Sequence, residues 1–208
     1  MKTSLILPLA ILFLFLSAPA NAQTCTITCP ENIIAKADSG KGGTYVNFPT
    51  ATTSGTCGQL VYTPSSGSFF QIGSTSVIVT SASGQRCSFT VTVTDNEPPT
   101  LSPIVLSAKR LWPANGRMRD VSVRYITSDN SNESSCSVAV SSNDLDSTTR
   151  DWEIIDNHSI RLKALRLRNG MARVYTITVT CTDAAGNSTK RTTGISVARN
   201  NEENQSRK

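Results

Sequence analysis

The chain has 208 residues, of which 38% are hydrophobic, 17% charged and 6% aromatic, with a formal net charge of +5. Ser and Thr fill the gap, supplying about a quarter of the chain. This is too apolar for a disordered chain and too polar for a membrane bundle, and the length suits one or two domains. The single histidine, His158, excludes a two-histidine zinc motif and leaves at most one imidazole base.

Residues 1–22 read as a targeting segment. Lys2 opens it, an apolar run spans Leu5 to Leu16, and Ser17-Ala18-Pro19-Ala20-Asn21-Ala22 supplies an A-x-A cleavage site. The apolar run is short for a membrane span. Ala22-Gln23-Thr24 before Cys25 lacks the pattern of a lipoprotein signal. The expectation is a mature chain from Gln23 that is secreted or periplasmic and does not insert in a membrane. Its mildly basic charge does not imply nucleic acid.

From Thr24 onward the chain shows short alternating runs rather than a 3.6-residue period. In the first half the predicted strands are Thr24–Cys29, Ile33–Ala37, Thr44–Phe48, Leu60–Thr63, Ser76–Ser81 and Cys87–Thr94. Asp95-Asn96-Glu97-Pro98-Pro99 then stops the last strand, because Pro98 cannot donate a ladder hydrogen bond. In the second half they are Leu101–Leu106, Val121–Thr127, Cys136–Ser141, Trp152–Ile155, Ser159–Leu167, Val174–Thr182 and Thr192–Ala198. Six or seven short strands per unit predict two immunoglobulin-like β-sandwich domains in tandem, over residues 23–97 and 98–199, with a polar tail at 200–208. Thr and Ser take the solvent side of most strands, where a branched Cβ suits the pleat.

All six cysteines follow the targeting segment, and an even number in an exported chain reads as three disulfides among 15 pairings. Strand parity sets most of them on core faces: Cys87 with Phe89, Val91 and Val93, and Cys181 with Ile177 and Val179. Cys136 pairs with Cys181 by sequence proximity and a shared second core. For the first half the favoured pairs are Cys29–Cys87 and Cys25–Cys57, each loop contributing roughly 3–4 kcal/mol in the chain-entropy account. Cys25 and Cys29 have no further close cysteines or histidine to complete a metal site.

The first unit resembles the hyalin repeat, or HYR domain. The resemblance is carried by Cys29-Pro30-Glu31-Asn32-Ile33, Val46-Asn47-Phe48-Pro49-Thr50-Ala51, the run from Gly67 to Thr75 with Val77, and Cys87 through Asp95. It implies an immunoglobulin-like sandwich of extracellular, adhesion-associated proteins. The family's aspartate-rich segment before the last strand is here Ser81-Ala82-Ser83-Gly84-Gln85. The second unit resembles an immunoglobulin-like module of bacterial secreted proteins, through Leu111 to Met118, Asp151-Trp152-Glu153-Ile154, Leu162-Lys163-Ala164, and Arg173 to Asn187. That resemblance implies a bacterial source. Neither family brings catalytic residues.

The function expected is therefore a non-enzymatic adhesion or interaction module, with an extracellular protein or a surface glycan as partner. Two site readings compete with bland ones. Asp95-Asn96-Glu97 resembles the calcium linkers of cadherin modules, and Asp183 or Asp129 would help only if the fold brought them close. Asp144, Asp146 and Asp151 form a second acidic loop. Calcium needs 6–8 oxygen ligands, so the six speculative ligands are Asp95, Glu97, Asp183, Asp144, Asp146 and Asp151. Otherwise they are turn, linker and solvated-loop residues, and no cofactor is expected. Arg161, Lys163, Arg166, Arg168 and Arg173 are read as flanking a hairpin at Asn169-Gly170, with a bulge where alternation breaks near Leu165. They form either a charged face that protects a sheet edge or a contact for acidic polysaccharide. Trp112 and Trp152 read as core or cap residues rather than sugar platforms. Asp156-Asn157-His158-Ser159 cannot form a catalytic trio, because adjacent turn residues do not adopt that geometry.

Overall fold

A computed structural model describes residues 24–144 and 151–198. The targeting segment, the polar tail and Asp146 lie outside these residues. The described chain is all-β. In chain order the first half contains β1 (Thr26–Thr28), β2 (Ile33–Lys36), β3 (Gly43–Val46), β4 (Thr52–Ser54), β5 (Leu60–Thr63), β6 (Ser68–Gln71), β7 (Gly73–Ser81) and β8 (Arg86–Thr94). The second half contains β9 (Thr100–Leu101), β10 (Val105–Leu106), β11 (Arg110–Leu111), β12 (Met118–Arg124), β13 (Thr127–Ser128), β14 (Ser134–Ser142), β15 (Trp152–Asp156), β16 (Ser159–Lys163), β17 (Val174–Asp183) and β18 (Ser188–Val197).

Parity builds the cores. On β7, Val77 and Val79 point in while Ser76, Ile78 and Thr80 lie on the other face; on β8, Phe89, Val91 and Val93 point in. These join Val46, Phe48, Ala51 and Phe70 in one buried cluster. Phe48 meets Phe89 edge-on at 5.0 Å, a favoured aromatic arrangement. A second cluster gathers Val121, Val123, Ile160, Leu162, Tyr175, Ile177, Val179, Ile195 and Val197. The two clusters lie on either side of residues 95–99.

The sheets are β2-β8-β7-β5 with ribbons β1-β4 and β3-β6 in the first half, and β10-β12-β16-β15 and β11-β18-β17-β14 with β9-β13 in the second. In each half an early strand runs parallel to the last one: β2 beside β8, and β11 beside β18. The segment expected as one strand over Leu101–Leu106 is instead two short pieces, β9 and β10, on different partners. Ser102 and Pro103 separate them, and proline cannot continue a ladder.

Two further expectations change. β16 ends at Lys163, so the loss of alternation at Leu165 marks the end of a strand, not a bulge. The bulge in this region lies on β15, between Ile154 and Asp156. β16 and β17 also belong to different sheets, so the segment between them crosses the sandwich rather than closing a hairpin.

Three disulfides join Cys25–Cys57, Cys29–Cys87 and Cys136–Cys181. The last links directly opposed residues of neighbouring strands β14 and β17.

Candidate functional site

Parity carries two aspartates inward at strand ends. On β8 the inward series Phe89, Val91, Val93 continues to Asp95, which is 9% exposed. On β17 the series Tyr175, Ile177, Val179, Cys181 continues to Asp183, which is 7% exposed. Asp129 follows β13 in the turn Asp129-Asn130-Ser131-Asn132, where Asn132 takes a left-handed φ of 60° and its N–H donates to the Asp129 carbonyl. These three segments meet: one carboxylate oxygen from each of Asp95, Asp129 and Asp183 lies within 4.8 Å of the others.

The hydrogen bonds around the trio come from neutral groups. Asp95 Oδ1 accepts from the Glu97 N–H at 3.1 Å and from Asn130 Nδ2 at 3.3 Å. Asn130 Nδ2 also donates to the Lys41 carbonyl at 3.2 Å, and Asn187 Nδ2 donates to the Asp95 carbonyl at 3.4 Å. Second-half side chains thus hold the end of the first half. Asp129 Oδ2 accepts from the N–H and hydroxyl of Ser131. Asp95 Oδ2, Asp129 Oδ1 and Asn130 Oδ1 are buried and have no donor. Burial pushes the Asp183 carboxyl up. Donors from the Asn187 side chain and the Asn187, Ala185 and Gly186 N–H groups outweigh it, so the group stays below the ordinary value and ionised. Beside the trio is a cleft of about 260 Å³ lined in part by Gly40, Glu97, Ser128, Asp129 and Asn130.

The five expected calcium ligands among the described residues are therefore separated. Asp95 and Asp183 converge, joined by Asp129. Glu97 turns to the first half, where Ser39 Oγ donates to Oε1 at 2.5 Å and the Gly40 N–H to Oε2 at 2.8 Å. Asp151 binds Arg173 Nη1 at 2.5 Å and Lys163 Nζ at 3.2 Å, and Asp144 also contacts Arg173. These two acids neutralise the buried Arg173 and the half-buried Lys163 and do not join the trio.

That pairing also dissolves the expected basic surface. The Arg173 side chain is 4% exposed, because its parity matches that of Tyr175. Arg161 is held by Asp120 at 2.8 Å and Glu153 at 3.4 Å. Arg166 donates to the carbonyls of Gly170 and Val197. Among the described residues, Arg168 is the one of the five without a polar partner. His158 stacks on Tyr125 at 4.7 Å with Nδ1 3.1 Å from the Val123 carbonyl, so it does not engage Ser159 as a base. Trp152 packs edge-on against Tyr175, while Trp112 is half-exposed. The sequence reading missed an outward aromatic pair: Tyr45 on β3 faces Phe69 on β6, with rings 5.2 Å apart, and both are exposed. Thr44 and Phe70, inward on either side of this register, are the signal that reveals it.

Residues 21–93 match the family model of the HYR domain, a stretch that is less than half of the chain. No curated protein matches the chain. Among solved structures it is similar to Sidekick-1 immunoglobulin domains 1–4, with 9% identity, 85% of this chain and 49% of that chain covered, and a TM-score of 0.46. It is also similar to extracellular domains 3–5 of Drosophila OTK, with 11% identity, 83% and 61% covered, and a TM-score of 0.42. Extracellular cadherin domains 1–4 of protocadherin gamma B7 match at 15% identity, 86% and 50% covered, and a TM-score of 0.40. The chain spans 61%, 40% and 50% of the first three solved chains it matches.

Proposed function

We propose that this is an exported, non-enzymatic interaction module of the adhesion type, and that its partner is a protein. The HYR match over residues 21–93 supports the adhesion class. Three disulfides fit an oxidising, extracellular setting. The second sandwich is read as the bacterial immunoglobulin-like module that its sequence resembles.

The observation that favours protein over acidic glycan is the internal pairing of the cations. Four of the five basic residues expected to hold a polyanion are already engaged by carboxylates or carbonyls of the same chain. Rigid aromatic surface is instead offered by Tyr45 and Phe69, the residue types that dominate protein interfaces. The glycan alternative is left with Arg168 and the exposed part of Trp112.

Beads carrying the oxidised chain test this on cells of its own source. Protein recognition predicts that protease treatment of the cells abolishes bead binding while periodate oxidation of their glycans leaves it. The reverse pattern makes the glycan reading correct. Absence of binding before any treatment overturns the adhesion reading.

A further inference from the structure

We propose that Asp95, Asp129 and Asp183 bind one calcium ion at the junction of the two sandwiches. Four observations converge on it. Oxygens bound to a single calcium at 2.3–2.6 Å are separated by at most about 4.6–5.2 Å. The three carboxylates already meet that limit, each offering an oxygen within 4.8 Å of the others. No step of large closure is needed to form the first half of a coordination sphere.

The trio also contains oxygens that nothing in the protein satisfies. Asp95 is nine-tenths buried, and its Oδ2 has no donor; the same holds for the buried Asp129 Oδ1 and for Asn130 Oδ1 beside it. Buried polar atoms are normally hydrogen-bonded. Here three acceptors gather at one place, and the polarity they call for is that of a cation. The Asn130 amide is oriented by its nitrogen, which donates to the Lys41 carbonyl and to Asp95 Oδ1, so its oxygen is left available as a further ligand.

The charge balance points the same way. Among the described residues, no Lys or Arg forms a salt bridge with any of the three aspartates. The donors around them are amides, hydroxyls and backbone N–H groups, none of which brings a positive charge to balance the carboxylates. Asp151, the other buried acid of the second half, by contrast has both Arg173 and Lys163. Among the buried acids of the described residues, those of the junction trio are the ones without a cation.

The donor set chooses the ion. All candidate ligands are carboxylate or amide oxygens, with no His or Cys, which selects a hard cation over zinc or copper. Ligands drawn from two strand ends and a turn suit the flexible geometry of calcium better than the strict octahedron of magnesium. Carboxylates that bind through two oxygens, and water from the adjoining cleft, complete 6–8 ligands. Asp95 leaves the first sandwich, whereas Asp129 and Asp183 belong to the second, so the bound ion ties the two together.

The test is calorimetric titration of the oxidised full mature chain with calcium chloride, first alone and then against magnesium chloride. Extracellular calcium modules bind at about 10⁻⁴–10⁻³ M. The expected result is one site in that range or tighter, magnesium at least tenfold weaker, and a thermal midpoint raised by several degrees and returned by chelator. Asp129→Asn and Asp183→Asn weaken calcium at least tenfold. In chelator Asp129→Asn melts no lower than the parent, because one member of a repelling trio is gone, whereas Asp183→Asn melts lower, because both Asp183 oxygens accept from Asn187 and an amide nitrogen cannot. Glu153→Gln on β15 serves as control and binds like the parent. An absence of both heat and midpoint shift at ~10 mM calcium, about ten times the weakest of those constants, overturns the proposal. So does calcium binding that both aspartate variants leave unchanged.

Discussion

Asp151→Asn should unfold the second sandwich more readily than any substitution at the surface acids. Asp151 and Arg173 have side chains 3% and 4% exposed and touch at 2.5 Å. Desolvation opposes the Arg173 charge, and its bonds to Tyr175 and Asp151 outweigh that, holding the guanidinium above its ordinary value. An asparagine keeps the shape and removes the charge. Arg173 then retains Asp144, and Lys163 loses its carboxylate. Breaking a buried pair by removing one partner costs about 3–5 kcal/mol. The retained Asp144 contact sets the expectation at the lower end, about 3 kcal/mol. With a urea slope of about 1–1.5 kcal/mol per molar for a unit of this size, the midpoint should fall by about 2–3 M. Both tryptophans, Trp112 and Trp152, lie in the second half, so their emission reports that unit alone. Adding Arg173→Met to Asp151→Asn should recover part of the loss, because the buried guanidinium is gone, and only part, because Asp144 then loses its Arg173 contact. A single-variant midpoint within ~0.5 M of the parent would refute the claim that this pair is energetically coupled.

Three further outcomes can be checked. Glu97 is held below its ordinary value of 4.5 by the Ser39 hydroxyl and Gly40 N–H; its contribution is complete above 4.5 and disappears as pH falls through the lower folded value. A carboxyl titration by NMR that places Glu97 at or above 4.5 contradicts that bonding. Replacing both Cys136 and Cys181 by Ala releases a loop of 45 residues and should destabilise the second sandwich by about 4 kcal/mol in the chain-entropy account, read by the same tryptophan unfolding; a loss under ~1 kcal/mol argues against it. Phe69→Ser should abolish bead binding to cells while leaving the melting midpoint within a few degrees, and unchanged bead binding removes the aromatic pair from the interface.

Much of the architecture was legible because period-2 alternation survives in the long strands. β7, β8, β14, β17 and β18 all overlap their expected ranges, and two of the three cysteine pairs, Cys29–Cys87 and Cys136–Cys181, follow the faces that alternation assigns. The short strands were less legible. β4 is Thr52–Ser54, exposed throughout, and nothing apolar marks it. The sequence names all three residues of the junction trio, Asp129 and Asp183 on condition that the fold brings them close, and Asp95 and Asp183 continue the inward parity of Val93 and Cys181. The convergence itself was not legible, because a two-residue strand and its pairing with β9 place Asp129. Arg173 shares the parity of Tyr175, so its burial was readable. That Asp151 would meet it was not, because the two acids come from a loop and the topology of two sheets decides the contact.

The pattern of the three disulfides also sets how far the chain yields when pulled from its ends. Tension entering at the first sandwich passes from Cys29 to Cys87 through sulfur, and in the second from Cys136 to Cys181. The enclosed stretches, with sequence separations of 58 and 45, carry no load while those bonds are intact. At about 3.4 Å per extended residue they would otherwise release roughly 200 Å and 150 Å of slack. Unfolding of the first sandwich in an oxidising medium therefore lengthens the tether only a little, whereas the second still releases the residues on either side of its bridge. Under shear the first sandwich thus stays short, and the full extension of the chain appears only after reduction.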